Sequence, residues 1–166
     1  MATTSSFDIT STIDFQEVDN ALNQARKEVG QRYDFKGATA DIELSTADKK
    51  LTLTTDDEMK MNALWEILQT RLVRRGVAVK NFKVPESEPA AGGTVRRVIE
   101  IQQGIPIEAA REIVKYIKEK KLKKVQAAIQ ADQVRVSSPS KDDLQDAMRA
   151  LREHDFGVAL QFGNYR

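Results

Sequence analysis

Three short segments of this sequence carry side chains that could bind an anionic aromatic ligand. In the first, RYDFKG at 32–37, Arg32 and Lys36 stand beside Phe35. Arginine can bind a phosphate through two parallel hydrogen bonds and can also stack on an aromatic base. As a strand, the segment would place its cations on one face and its aromatic rings on the other. Two interpretations follow: a nucleotide-binding segment, or a Tyr/Phe pair in the core beneath a solvated charged face.

The other two segments are a glycine turn and the C-terminal tail. In QQGIP at 102–106, Gly104 would let backbone N–H groups approach a ligand, although one glycine is also typical of an ordinary strand-to-helix turn. The tail QFGNYR at 161–166 contains Phe162, Tyr165 and Arg166. Chain ends commonly fray and are polar. Aromatic residues here therefore indicate a tail that is held down or that closes a pocket.

The composition argues against catalysis and against a cofactor. The chain has no cysteine and a single histidine, His154, which excludes thiolate metal sites, a cysteine nucleophile and a histidine-based metal site. No phosphate-loop motif is present. Two pairs of adjacent acids fall in the first turns of predicted helices, where carboxylates stabilise the helix dipole: Asp56 with Asp57, and Asp142 with Asp143. We therefore predict that the protein is not an enzyme and has no cofactor.

The charge balance and the apolar pattern limit the partners. Lysine and arginine number 26 against 25 aspartates and glutamates, so the chain lacks the basic excess of a general nucleic-acid binder. No apolar run approaches the length needed to span a membrane, and the N-terminus has no signal sequence. We expect a cytoplasmic protein without a membrane partner.

Two local basic clusters stand out from this balance. One ends the second predicted helix with Arg71, Arg74 and Arg75. The other ends the third helix with a run of lysines: Lys115, Lys118, Lys120, Lys121, Lys123 and Lys124. Cations at helix C-termini complement the dipole and solvate the surface. The alternative is a phosphate-binding patch for RNA.

The elements that position these segments occur in the same order twice. Each half shows strand, helix, strand, strand, helix and strand signals, and the apolar pair Phe7 and Ile9 returns as Ile99 and Ile101. Such a repeat indicates duplication of one structural unit. The predicted fold is α+β, with two ferredoxin-like βαββαβ units in which both helices lie on one face of an antiparallel sheet.

The composition of the middle of the chain predicts the boundaries of these units. The first unit covers 1–85, a Pro- and Gly-rich linker or mobile loop covers 86–93, and the second unit covers 94–166. The first strands of the two units are expected at 5–10 and 95–101.

The clearest local features of the sequence are the capping residues and apolar stripes of the predicted helices. Asp14 and Ser140 are suited to cap the first and the last helix. In the second helix, Trp65 shares an apolar stripe with Met61 and Leu68. This spacing predicts that Trp65 is a core residue.

The outward face of the predicted sheets bears on RNA binding. The ferredoxin-like unit is also the scaffold of an RNA-recognition domain that stacks bases on aromatic residues of its central strands. The outward positions assigned here carry no aromatic residue: Asp8, Thr52, Thr54, Glu100, Arg135 and Ser137. The base-stacking platform of a typical single-strand RNA binder is therefore missing from both units.

The chain resembles the YajQ family of small bacterial proteins over essentially its whole length. The resemblance rests on RYDFKG and QFGNYR together with SFDI at 6–9, DQVRV at 132–136 and KDDLQ at 141–145. Departures are minor, since Tyr33 and Ala131 stand where the family often has Phe and Gly.

The resemblance implies both a strand arrangement and a function. The two units would exchange their first strands, so that 5–10 would pack in the sheet of the C-terminal unit and 95–101 in that of the N-terminal unit. The protein would bind nucleotides in the cytoplasm, without established enzymatic activity. Some relatives are regarded as cyclic di-GMP effectors, and RNA or transfer-RNA binding is also attributed to the family.

We therefore expect a nucleotide or a cyclic dinucleotide as the ligand, with RNA or a transcription regulator as the alternative partner. The residues expected to bind the nucleotide combine cations, aromatic rings and the glycine turn: Arg32, Phe35, Lys36, Gly104, Arg135, Phe162, Tyr165 and Arg166.

Overall fold

The computed structural model describes residues 4–120, 122 and 124–166. Within them the chain forms nine strands and four α-helices: β1 Ser5–Thr10, α1 Phe15–Gln31, β2 Ala40–Ser45, β3 Lys50–Thr55, α2 Glu58–Arg74, β4 Phe82–Lys83, β5 Glu88–Pro89, β6 Val95–Ile101, α3 Ile107–Glu119, β7 Gln126–Gln130, β8 Gln133–Ser138, α4 Lys141–Arg152 and β9 Gln161–Gly163. Short 3₁₀ turns lie at Tyr33–Phe35, Val79–Asn81 and Ala91–Gly93.

The chain divides into two compact units. The central unit is residues 13–102, and the terminal unit combines the residues up to 12 with 103–166. The terminal unit thus joins the beginning of the chain to its end. The predicted boundaries at 85 and 94 follow the two halves of the sequence instead.

The central unit is an antiparallel sheet packed against α1 and α2. Its strand order is β2-β3-β6-β4, with β5 also pairing with β6. Leu51 of β3 lies opposite Ile99 of β6, and both are fully buried with Leu68 of α2. Alternate residues of β3, such as Thr52, are only half-buried. One face of the sheet therefore forms the core of this unit.

The terminal unit repeats this design with α3 and α4. Its strand order is β7-β8-β1-β9. Phe7 of β1 lies opposite Val136 of β8, and both are buried with Ile113 of α3 and Leu151 of α4. In each sheet the strand beside the hairpin is remote from it in sequence. This arrangement agrees with the predicted α+β fold of two ferredoxin-like units, while internal duplication stays a prediction from the sequence.

The predicted helix caps are confirmed. The Asp14 carboxylate accepts hydrogen bonds from the backbone N–H groups of Gln16 and Glu17 at the start of α1. The Ser140 hydroxyl accepts one from the N–H of Asp143 at the start of α4. Each cap satisfies backbone donors that have no partner inside the helix.

The RYDFKG segment does not form a strand, so the two faces described for a strand do not apply to it. The segment forms a 3₁₀ turn directly after α1, closed by a hydrogen bond from the Lys36 N–H to the Tyr33 carbonyl. A strand would place the two aromatic rings on one face, whereas the turn separates them. Phe35 is 4% exposed and Tyr33 is 88% exposed.

Three smaller expectations also change. Val77 and Val79 alternate with other residues and predict the closing strand of the first unit there, but that strand begins at Phe82, after a 3₁₀ turn. Val158, Leu160 and Phe162 alternate in the same way and predict the final strand, which is limited to Gln161–Gly163. Within the predicted linker, β5 pairs with β6, because Glu88 lies opposite Arg96 and its carboxylate binds that guanidinium at 2.9 Å.

Trp65 lies at the rim of the core instead of inside it. It is only partly buried and packs against Phe82, with the two ring centres 6.4 Å apart. The buried stripe of α2 runs through Leu64 and Leu68, and Ile67 lies at the edge of the stripe opposite to Trp65. At 100° per residue Trp65 falls on the outer flank of that stripe, so its large ring reaches the core only with its inner edge.

None of the helices in the described part of the chain combines the length and the apolar character needed to cross a membrane.

Candidate functional site

The residues expected to bind a nucleotide are divided between the two units. Arg32, Phe35 and Lys36 belong to the central unit. The others belong to the terminal unit: Gly104, Arg135, Phe162, Tyr165 and Arg166. The predicted residues therefore form two groups, one in each unit.

The central-unit residues line one cavity of about 580 Å³, which we call the α1 cavity. Its walls are the last turns of α1, the 3₁₀ turn with the residues that follow it, and the start of β2. Val29, Phe35 and Ile42 are buried residues that form its apolar floor. Its cations are Arg26, Arg32 and Lys36, and no aspartate or glutamate of the described chain lines it.

The cations of the α1 cavity differ in whether their side chains already have an ion-pair or hydrogen-bond partner. Arg32 binds the Asp34 carboxylate through Nε at 3.0 Å and Nη2 at 2.8 Å. This contact lowers the pKa of Asp34 and raises the pKa of Arg32, so both groups are charged near neutral pH. Arg26 donates to the carbonyl of Ile42 at 2.6 Å. Lys36 has no ion-pair partner among the described residues.

The residues predicted from the sequence include the lining residues Arg32, Phe35 and Lys36 but not Arg26 or Tyr33, which bring a further cation and a further aromatic ring to the cavity. Arg26 lies on the exposed face of α1, where nothing in the local pattern distinguishes it from other surface cations. Tyr33 was assigned to the same face as Phe35, but the 3₁₀ turn places it at the cavity with its ring in solvent. Only the course of the chain after α1 brings these residues together.

Arg135 in the terminal unit is held by an ion pair. Its Nε donates to Asp8 Oδ1 at 2.8 Å across the pairing of β8 with β1. Asn164 donates to the other carboxylate oxygen of Asp8 at 2.6 Å. Asp8 is only 7% exposed. Arg135 therefore stabilises a nearly buried carboxylate, and its guanidinium is already engaged.

These contacts make the stability of the protein depend on pH. The hydrogen bond from Arg135, followed by the one from Asn164, lowers the pKa of Asp8 below its ordinary value of 3.8. The folded state then binds the Asp8 proton less readily than the unfolded state does. The stabilisation is complete above the unfolded-state pKa and is lost as the pH falls through the folded-state value.

We expect Asp8→Asn to lower the melting temperature at about pH 7, and this difference to stay constant down to about pH 5 and then to shrink progressively toward about pH 3. Thermal melts over this pH range provide the measurement. The control is Asp41→Asn, which changes an exposed carboxylate on β2. An Asp8→Asn deficit that stays constant with pH would contradict the assigned role of the charge.

The C-terminal tail is held down, as its aromatic residues predict. Gly163 lies opposite Asp8 in the pairing of β9 with β1. Arg166 then continues the pairing, since its N–H donates to the Ser6 carbonyl at 3.0 Å and its carbonyl accepts from the Ser6 N–H at 3.2 Å. The tail has one residue more than β1 over this stretch, and Asn164 accommodates it with φ of 53°. This is a β-bulge, which redirects the side chains that follow it.

Both tail rings lie on the buried side of the sheet, Phe162 through its regular pairing with Ile9 and Tyr165 because of the bulge. The ring centre of Phe162 lies 5.7 Å from that of Phe7, and the ring centre of Tyr165 lies 6.5 Å from it. Regular alternation would have turned Tyr165 to the opposite face. Tyr165 and Arg166 line a second cavity, of about 260 Å³, which we call the tail cavity.

The backbone N–H groups at Gly104 are hydrogen-bonded within the protein and are not open to a ligand. The N–H of Gly104 donates to the Ser11 carbonyl at 2.7 Å, and the N–H of Ile105 donates to the Asp132 carbonyl at 2.9 Å. Both donors are thus used within the terminal unit. Gly104 has φ of 84° and its Cα faces the Asp132 side chain.

Comparison with known proteins shows the family. The model of the family described as nucleotide-binding protein YajQ-like matches residues 5–166. The chain belongs to this family of YajQ-like nucleotide-binding proteins, which confirms the resemblance found in the sequence.

Relatives from distant bacteria match the whole chain. A protein of Carboxydothermus hydrogenoformans is 48% identical over 166 residues, covering 100% of both chains. One from Trichlorobacter lovleyi is 48% identical over 162 residues, covering 97% of this chain and 98% of its own. One from Elusimicrobium minutum is 47% identical over 161 residues, with the same coverage. All three carry the name nucleotide-binding protein.

Proposed function

We propose that the protein binds a nucleotide in the α1 cavity. The observation that carries this proposal is a space of about 580 Å³ that combines an apolar floor with the cations Arg26, Arg32 and Lys36. Ligand cavities in proteins measure roughly 300–1,000 Å³ and pair apolar walls with a few polar groups. The names of the relatives support the same class of ligand.

Each lining residue has a different role in this proposal. Lys36 binds a phosphate directly, because its ammonium has no competing partner among the described residues. Arg32 shares its guanidinium with Asp34 and adds positive potential at the same phosphate. Tyr33, whose ring is almost fully exposed, stacks on the base from the rim. Phe35 forms the floor beneath it.

The ligand that we propose is a cyclic dinucleotide, such as cyclic di-GMP. Such a molecule carries two phosphates, which the three cations can neutralise, and two bases, which the rim and the floor can contact. The protein would act as a cytoplasmic effector that binds this ligand without converting it, and a transcription regulator is the partner that we propose for the bound form.

Titration calorimetry with cyclic di-GMP tests the proposal. Lys36→Glu should weaken binding at least about tenfold, since a charge-assisted phosphate contact contributes about 1.5–3 kcal/mol. Arg32→Ala should have a smaller effect because Asp34 already occupies part of that guanidinium. Lys27→Glu is the matched control, since Lys27 is an exposed residue of α1 that does not line the cavity. Equal binding by the Lys36 and Lys27 variants would refute the site.

RNA is the second candidate ligand, favoured by the end of α3. Lys115, Lys118, Lys120 and Lys124 are exposed there, and the Lys120 ammonium lies 5.0 Å from the ring centre of Tyr116. Lys121 and Lys123 lie outside the described residues. Binding through this patch would weaken steeply with rising salt and on Lys118→Ala, while Lys36→Glu would leave it unchanged.

A further inference from the structure

The tail cavity has a lining different from that of the α1 cavity. It lies between the start of β1, the first turns of α4 and the C-terminal tail. Phe7, Leu144 and Met148 are buried residues that give it an apolar wall. At about 260 Å³ it is less than half as large as the α1 cavity, so it suits a single ring system.

Two cations line this apolar space. Lys141, the first residue of α4, and Arg166, in the tail, both border the cavity, and no aspartate or glutamate of the described chain does so. Neither side chain has an ion-pair partner among the described residues, although Arg166 is close enough to Asp8 to help lower the pKa of that carboxyl. The Arg166 backbone is well fixed, because it is hydrogen-bonded to Ser6 in both directions. The cavity therefore combines an apolar interior with two cations.

Tyr165 provides the remaining wall. Its ring leans on Phe7 at an interplanar angle of 47°, and its hydroxyl lies 3.9 Å from the Met148 sulfur. The side chain is still 61% exposed. A flat ring could stack on the exposed face of Tyr165 beside Met148, because thioether sulfur and aromatic rings both attract aromatic surfaces.

We propose that the tail cavity binds a small planar aromatic anion. The ring of the ligand stacks on the exposed face of Tyr165 beside the apolar wall, and its acidic group binds Lys141 and Arg166. A nucleoside monophosphate and an aromatic carboxylate or sulfonate share this chemistry. The proposal does not rest on nucleotide binding in the α1 cavity, whose residues belong to the other unit.

The test uses 5-(dimethylamino)naphthalene-1-sulfonate, an anion with a single fused ring system whose fluorescence rises in an apolar site, with the full-length protein. We expect saturable binding to one site, a dissociation constant raised about tenfold by Lys141→Glu and by Arg166→Glu, and a reduced fluorescence gain in Tyr165→Ala. The first substitution places an acid in the first turn of α4, which favours the helix. Thermal melts identify variants that retain the fold.

Lys36→Glu is the cross-control, since it disables the α1 cavity and should leave dye binding unchanged. Displacement of the dye by GMP but not by guanosine would support a nucleoside monophosphate. Displacement by indole-3-acetate alone would support an aromatic acid. Absence of saturable binding, or wild-type affinity in both charge-reversal variants with a native melt, would overturn the proposal.

Discussion

A fragment containing residues 13–102 should fold by itself, whereas a fragment of nearly the same length, 1–92, should not. The first fragment contains the complete sheet of the central unit together with α1 and α2. The second lacks β6, which pairs with both β3 and β4 in that sheet. It also carries β1, whose partners β8 and β9 lie beyond its end. Removing a central strand exposes backbone groups and deletes Ile99 and Ile101 from the core.

Circular dichroism during heating provides the measurement. Fragment 13–102 should melt in one cooperative transition, and fragments 1–92 and 93–166 should each fail to do so alone. Mixing the latter two should restore a cooperative melt, because together they supply every strand of both sheets. If fragment 1–92 melts as cooperatively as 13–102, the central position of β6 does not control the stability of that unit.

Gly104→Ala should destabilise the protein much more than Gly157→Ala does. Both glycines have φ of 84°, so alanine has the same backbone strain at either position, about 1–2 kcal/mol. Nothing lies within 4 Å of a Cβ added at Gly157, whereas one at Gly104 would lie 2.5 Å from Asp132 Oδ2 and 2.8 Å from Asp132 Cβ. Relieving this overlap must shift the β7–β8 turn, which adds about 1–3 kcal/mol. The expected total for Gly104→Ala is therefore about 2–5 kcal/mol.

Urea unfolding of the two variants measures this difference directly. Adding Asp132→Ala to Gly104→Ala should recover only part of the loss, because the overlap with the Asp132 Cβ remains. The N–H groups of Gly104 and Ile105 both donate hydrogen bonds within the protein. The close approach of Asp132 therefore explains why a glycine stands at position 104. Equal unfolding free energies for Gly104→Ala and Gly157→Ala would show that the contact with Asp132 is not limiting.

The sequence by itself determined the elements whose signals are local. The stripe of α1 and its Asp14 cap lie within a few residues of one another, as do the alternating residues of the hairpin formed by β2 and β3. A helix or a hairpin is specified by neighbours along the chain, so periodicity and capping residues are sufficient to locate it. Arg32, Phe35 and Lys36, which were selected by their types within one short segment, line a single cavity.

Only the tertiary structure decided which distant segments meet. Alternation cannot show that β1 pairs with β8, or that Asp8 forms an ion pair with Arg135. Nor can it show that a bulge at Asn164 turns Tyr165 toward Phe7. These features depend on pairings between residues far apart in the chain, whose energies appear only when the whole sheet forms. For that reason residue types were sufficient to propose candidate binding residues. Locating the α1 cavity and the tail cavity required the fold.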